Sequence, residues 1–436
     1  MESGGRRLIA GMNPAVFAIV FVVVMGGVYL EILPNNMLIG FVIPMVIGGL
    51  FIWLGEKIPV FRTFGGPSLL CIIVPAVFVY WGLFPQSGVE IVADFYNGYG
   101  FIDLFIAALI VGSLLSMDRQ ILVKAGIRFF IPLLAGVVLT FVVGGLVGHV
   151  TGFGYKEAIL FVIAPIMGGG IGAGAVPMSE IYASGAGGDP AEYLSMLVPA
   201  IMVANVLCIF VASILNGLGK KNKNMFIKGF SGEGEILRNA KKNEAAEPLR
   251  AAESKETTTY SNLAVGLMMS GALYIFGYFI AMLFPSIHAY AWMIIATALV
   301  KILNITPTVI EDAAGDWFDF VSKMLLPCML VATSIGLIDM HQIIEVVTNP
   351  AYLGLTALTV LLASFGAGIF GWLVAMYFVE SAIAAGLCMA DVGGSGDAAV
   401  LGASERLKLM PFSQISSRLG GVIILLIMSI LAPLFL

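Results

Sequence analysis

Runs of roughly twenty apolar residues recur along almost the whole chain, and no other feature limits its fold as much. A bilayer core about 30 Å thick is crossed by ~20 residues of helix. Eleven runs of that kind lie near residues 13–31, 37–55, 67–84, 101–117, 129–149, 192–217, 261–284, 286–304, 317–338, 350–375 and 411–434. Only 11% of the 436 residues are charged and 59% are hydrophobic, whereas a soluble domain carries about 25% charged residues. A soluble enzyme, a nucleic-acid binder and a disordered scaffold are thereby excluded. The first run is long enough to span and no A-x-A site follows it, so no cleavable signal peptide is expected. Cys71, Cys208, Cys328 and Cys388 lie in apolar runs without CxxC spacing and read as reduced packing residues.

Two further apolar stretches, 156–186 and 378–404, are interrupted at their centres by glycine, at Gly168-Gly169-Gly170-Ile171-Gly172-Ala173-Gly174 and at Gly393-Gly394-Ser395-Gly396-Asp397. Each glycine costs a helix ~1 kcal/mol against alanine, so both stretches should break there. Broken backbone survives at membrane depth only where protein or a watery cavity covers it. The expectation is a pair of re-entrant hairpins.

Charge placement favours re-entry. With the N-terminus inside, one side collects Arg6, Arg7, Lys57, Arg62, Arg119, Lys124, Arg128, Lys301, Arg406, Lys408 and the nine cations between Lys220 and Lys255. Lys156 alone falls outside, and Lys323 and Arg418 fall within spans. Were 156–186 a full span, the polar segment 218–259 with its nine cations would face outward, against the positive-inside rule. The C-terminus is then outside. Segment 218–259 reads as a cytoplasmic linker containing at most one short helix.

The chain also repeats. Phe101-Ile102-Asp103 and Trp317-Phe318-Asp319 each open a span, and Gln120 and Gln342 follow the ends of those spans 222 residues apart. Each span is followed by another span, a glycine-broken hairpin beginning near Glu157 or Glu380, and a last span. An odd number of spans per half forces opposite orientations, which is the plan of secondary transporters with inverted repeats. The expected divisions are an extra helix (1–35), a first repeat (36–217), the linker (218–259) and a second repeat (260–436). Tight packing of small residues would explain one glycine run; two runs at matching places favour the transporter plan.

Ionisable groups within spans are functional candidates. Arg418, in Gln414-Ile415-Ser416-Ser417-Arg418-Leu419-Gly420-Gly421, needs a carboxylate. Its fork suits either a substrate or a structural acid such as Asp397. Glycine tips let backbone N–H groups reach an anion, and Gly170, Gly172, Ser395 and Gly396 are the candidate donors. Glu180, Asp391, Ser395, Asp397 and Ser417 are hard oxygen ligands beside unwound carbonyls and suit Na+ or a proton. Asn205 occupies a place in the first half comparable to Ser417, and Lys323 reads as snorkelling. No metal-hydrolase, nucleotide-binding or serine-nucleophile motif occurs.

Residues 165–182, 386–397 and 414–421, with Ser231-Gly232-Glu233-Gly234-Glu235 in the linker, resemble the signatures of the bacterial 2-hydroxycarboxylate transporter family. The resemblance covers essentially the whole chain. It implies an all-α polytopic protein of the inner membrane, with eleven spans and two re-entrant hairpins. It further implies a homodimer whose mobile transport domain moves by an elevator mechanism, and symport of a 2-hydroxy acid with Na+ or H+ without an organic cofactor. Residue by residue, Arg418 would bind the carboxylate nearest the hydroxyl, and Gly170, Gly172, Gly394, Ser395 and Gly396 would complete that pocket. Asp391, Ser395 and Ser417 would form one cation site, and Glu180 with the carbonyls before the first tip another.

Citrate carriers of the family carry Asn at the position of Ile171, Arg at that of Val392 and Asn at that of Asp391. Losing polar partners for a third carboxylate costs ~1.5–3 kcal/mol, so Ile171 and Val392 point to malate ahead of lactate or citrate. The added carboxylate of Asp391 leaves Na+ and H+ both open. A malate/lactate exchanger and a citrate symporter remain alternatives within the family, and a passive anion channel outside it.

Overall fold

The computed structural model describes residues 8–58, 66–116, 126–221, 223–224, 227–238, 259–284, 288–393 and 395–436, though not the side chains of residues 66, 68, 69, 126, 127, 342, 346, 395 and 411. Arg6, Arg7, Arg62, Arg119, Gln120, Lys124, linker residues 239–258 and Gly394 lie outside the described residues, as do the side chains of Gln342 and Ser395. Among the described residues the chain is helical, with isolated β-bridges at Ile9–Met12 and Leu237–Met376.

Polar caps fix where several of the apolar helices begin. Asn13 accepts the Ala15 N–H at the start of α1 (Pro14–Tyr29), and Asn36 accepts the Ile39 N–H at the start of α2 (Met37–Lys57). Next come α3 (Gly66–Tyr80), α4 (Gln86–Ala93) with its π-helical turn Asp94–Gly98, and α5 (Phe101–Leu115), which is bent by 45° from α4. Helix α6 runs from Gly126–Leu139 through a π-turn into Gly145–Val150. Beyond the first glycine-broken stretch, α9 (Pro190–Lys221), α10 (Tyr260–Leu283) and α11 (Ala289–Ile302) follow. Helix α12 is continuous over Thr308–Gly336, α13 is Met340–Thr348 and α14 is Pro350–Leu373. The last helix, α17, joins Met410–Ile415, the π-turn Ser416–Gly420 and Gly421–Phe435.

Seven of the described helices are long and apolar enough to cross a membrane, or eight with the bent α4–α5 pair taken as one span. That set is the signature of a polytopic membrane protein. Three expectations are corrected. The span expected from Trp317 starts at Thr308, because Glu311, Asp312 and Asp316 interrupt the apolar run without interrupting the helix. Helices α4 and α13 were not anticipated, since both are short and amphipathic. Lys301 and Arg406, counted among the cations of the inside loops, are both buried. Lys301 Nζ lies 2.7 Å from Glu311 Oε2 and 2.7 Å from the Leu115 carbonyl, so its charge is matched in place. Lys323, read as snorkelling, is exposed and lies 3.0 Å from Asp319.

The two broken stretches share one construction. In the first, α7 consists of Tyr155–Ala158, a π-turn Ile159–Ile163 and Ala164–Met167, and α8 of a π-turn Ile171–Ala175 and Val176–Ala186. In the second, α15 consists of Phe378–Ser381, a π-turn Ala382–Gly386 and a 3-10 turn Leu387–Met389, and α16 is Ser395–Ala403. Both hairpins fold back on themselves. The Tyr182 hydroxyl donates to the Leu160 carbonyl across the first at 2.9 Å, and Arg406 Nε donates to Glu380 Oε1 across the second at 2.8 Å.

The chain divides into two compact units. One comprises residues 1–106 and 319–342, and the other comprises 107–318 and 343–436, so each draws on both sequence halves and both hairpins belong to the larger. In the smaller unit, α2 packs on the second half of α12 through Gly48, where a Cβ would stand 2.8 Å from the Pro327 carbonyl oxygen. Overpacking of this kind costs ~1–3 kcal/mol. Gly48→Ala should therefore lower the melting temperature in detergent by several degrees. Gly271→Ala, where a Cβ meets nothing within 4 Å, should leave it unchanged or raise it. Size-exclusion melting curves of both variants make the comparison.

Candidate functional site

The tips of the two hairpins meet backbone to backbone. Gly169 and Gly170 have φ of +84° and +98°, and Gly393 has φ of +71°, a region that L side chains avoid. A Cβ on Gly170 would stand 2.1 Å from the Val392 carbonyl oxygen, and one on Gly169 would stand 2.4 Å from that of Ser417. Glycine is thus required by approach as well as by torsion. Ile171 and Val392 flank this junction, Ile171 buried and Val392 partly so, while Gly172 is half-buried. The turn of α17 that carries Ser417 and Arg418 closes it.

Around the second tip the side chains are buried and rich in oxygen. Asp391 and Asp397 are 1% and 0% exposed. One ligand atom from each of Asp391, Asp397 and Cys388 falls within 4.8 Å of the other two. The Ser417 hydroxyl is 2.8 Å from both Asp397 oxygens, 2.9 Å from the Cys388 carbonyl and 3.0 Å from that of Ser413. A single proton faces four acceptors. Gln414 Nε2 donates to Asp397 Oδ2 at 2.9 Å, and the Gly393 N–H donates to Asp391 Oδ1 at 2.6 Å. Among the described residues, Asp391 Oδ2 has no hydrogen-bond partner. Asn205, from α9, accepts the Val392 N–H at 3.4 Å and faces Gly396.

Two adjacent buried carboxylates repel each other, and a proton or a cation between them offsets that repulsion. The donor set is hard oxygen, the kind that small alkali cations take.

Arg418 follows Ser417 in the π-turn, yet its guanidinium lies elsewhere. It stacks over the Phe318 ring, with Cζ 4.2 Å from the centroid, and Nη1 is 3.5 Å from Ser116 Oγ. The insertion of one residue in a π-turn re-aims successive side chains, so this turn serves two places. Glu180, half-buried on α8, is not part of the Asp391 cluster.

Sequence reading brought Asp391, Asp397, Ser417, Gly170, Val392 and Gly396 to this region, and the structure gathers them. It missed Cys388, read as packing but adjoining both carboxylates, and Gln414, Ser116 and Phe318. Position held the signal for the first two: Cys388 is three residues before Asp391 and Gln414 three before Ser417, which is helical reach. Ser116 and Phe318 are joined to Arg418 only by tertiary folding.

The chain matches the model of the 2-hydroxycarboxylate transporter family over residues 9–430. It is 36% identical to the citrate/sodium symporter of Salmonella typhimurium over 433 residues, covering 98% of this chain and 94% of that protein. The citrate transporter CitP of Lactococcus lactis subsp. lactis is 34% identical over 427 residues, covering 98% of this chain and 94% of its own. The Na(+)-malate symporter of Bacillus subtilis is 34% identical over 406 residues, covering 93% and 88% respectively. These are transporters and not enzymes. With its long apolar helices, glycine-broken hairpins and match over nearly its whole length, the chain belongs to the 2-hydroxycarboxylate transporter family.

Proposed function

We propose that the chain is a Na+-coupled symporter that imports a 2-hydroxy dicarboxylate, with malate as the preferred substrate, across the bacterial inner membrane. One observation carries the coupling. Ser417 and Arg418 are neighbours on one π-turn, the first within the oxygen pocket of Asp391 and Asp397 and the second at Phe318 and Ser116. A cation drawn to the pocket orders the turn and lowers the local negative charge before a dianion docks on the guanidinium. Na+ is favoured over H+ by the hard oxygen set and by the names of the sodium-coupled relatives.

In this reading Asp391, Asp397, Ser395, Ser417 and the Cys388 carbonyl hold one Na+, and Glu180 with the carbonyls before the first tip holds a second. Gly170, Gly172, Gly394, Ser395 and Gly396 supply backbone donors to the carboxylate bound by Arg418. The protein has eleven spans: the seven long helices, the bent α4–α5 pair and the shorter α1, α3 and α11. The hairpins are re-entrant, the N-terminus is inside and the C-terminus outside. The chain forms a homodimer, and the larger unit, which holds both hairpins, is the moving body of an elevator.

Malate is preferred because Ile171 and Val392 offer a third carboxylate no donor. The Ile171→Asn, Val392→Arg double variant should raise citrate uptake relative to malate at least tenfold, read as the ratio of kcat/KM in proteoliposomes. An unchanged ratio would remove these positions from the substrate site.

Arg418→Ala should reduce malate uptake about ten- to a hundredfold, since a desolvated carboxylate loses a bidentate partner worth ~1.5–3 kcal/mol. Na+-dependent stabilisation against heat should survive in the same variant. Loss of both would assign Arg418 to the fold.

Ser417→Ala should raise the Na+ concentration for half-maximal uptake by about tenfold, from removal of one ligand of ~1–2 kcal/mol, with little change in malate KM at saturating Na+. Uptake of labelled malate, citrate and lactate under separately imposed Na+ and pH gradients tests the whole reading. Accumulation driven by the pH gradient alone would overturn Na+ coupling, downhill flux alone would indicate a channel, and counterflow without either gradient an exchanger.

A further inference from the structure

Segment 227–238 of the central linker is built onto the base of the second hairpin. The first N–H groups of a helix lack intrahelical partners, and here linker carbonyls take them. The Phe378 N–H donates to Gly229 at 3.2 Å, that of Val379 to Phe230 at 2.9 Å and that of Tyr377 to Ile236 at 3.0 Å. The Arg238 N–H donates back to Ala375 at 2.9 Å, completing an antiparallel bridge between Leu237 and Met376. The Arg238 guanidinium stacks on Trp372 and donates to its carbonyl.

At the centre of this contact is Glu380, fully buried in the first turn of α15. Its carboxylate accepts the Gly232 N–H at 2.9 Å, the Gly234 N–H at 3.1 Å and Arg406 Nε at 2.8 Å. Arg406, 3% exposed beyond the end of α16, also donates to Asn216 Oδ1 at 2.8 Å, the Ser404 carbonyl at 2.6 Å and Ser231 Oγ at 3.0 Å. One ion pair therefore joins the two ends of the hairpin, the linker and the end of α9. Removing one partner of such a pair strands a buried charge. There is no slack: a Cβ on Gly232 would stand 2.3 Å from the Tyr377 ring.

We infer that segment 227–238 is a latch that keeps the base of the second hairpin closed throughout transport, with Glu380 and Arg406 as positioning residues for the cation pocket at its tip. The arms α15 and α16 carry Asp391 and Asp397 at their far ends, so the separation of the arms at the base sets the spacing of the carboxylates. The hairpin then moves with α9 and the linker as one body and does not open as a flap. This rests on the assignment of residues 388–397 and Ser417 as the Na+ pocket.

The test locks the latch covalently. Leu237 and Met376 face each other as a non-hydrogen-bonded antiparallel pair, whose Cα atoms lie about 4.5 Å apart, within disulfide range. The Leu237→Cys, Met376→Cys double variant is reconstituted in proteoliposomes, oxidised or reduced, beside both single variants. Malate and citrate uptake under a Na+ gradient should be within twofold in the oxidised and reduced states. A tenfold loss on oxidation that a reductant reverses would mean the latch opens during transport, and would overturn the inference. In parallel, Glu380→Gln should raise the Na+ concentration needed for half-maximal heat stabilisation at least fivefold. An unchanged Na+ requirement, with only less folded protein, would reduce the pair to a brace and overturn its positioning role. The Na+-dependent melt needs no substrate, so a wrong substrate and a wrong latch give different results.

Discussion

Broken helix is costly where no water can reach it, and this protein gathers its broken backbone at one junction. Unsatisfied peptide groups in hydrocarbon cost several kcal/mol each, on the order of a whole hydrogen bond. Here the opened turns at Gly168–Gly170 and Asp391–Gly393 are stacked against each other and against the π-turn of α17. Glycine makes this possible by permitting positive φ and by leaving no Cβ between one backbone and the next. The placement of the pocket oxygens and of Arg418 beside them follows from that contact.

A second consequence concerns charge. The buried ionisable groups are distributed among separate, locally answered sites. Lys301 with Glu311 and Glu380 with Arg406 are each matched in place and carry extra backbone or side-chain hydrogen bonds. The Asp391–Asp397 cluster differs: two buried carboxylates lie side by side, and among the described residues Asp391 Oδ2 has no hydrogen-bond partner. The matched pairs need no further charge where they lie. In the proposed reading, this cluster is where a coupling cation binds.

The same contrast separates Arg406 from Arg418. Position in the chain made Arg406 look like a loop residue, because a short polar run follows α16. Burial beneath the linker turns it into the centre of a network of four polar partners. Arg418 stood out in the sequence, since a guanidinium inside an otherwise apolar run is costly without a partner.

Composition and periodicity were enough to place most helices, both glycine breaks and the residues at the tips, because these depend on local length, hydropathy and torsion. The boundary of α12 was misjudged at Trp317 because amphipathic turns carry acids without ending a helix. Tertiary structure alone decided which neighbours converge: Cys388 and Gln414 on the carboxylates, Ser116 and Phe318 on Arg418, and the linker on Glu380. Those pairings join residues up to 302 positions apart, and no local preference encodes them. They arise from the requirement that every broken or charged group inside an apolar body meet its complement from elsewhere in the chain.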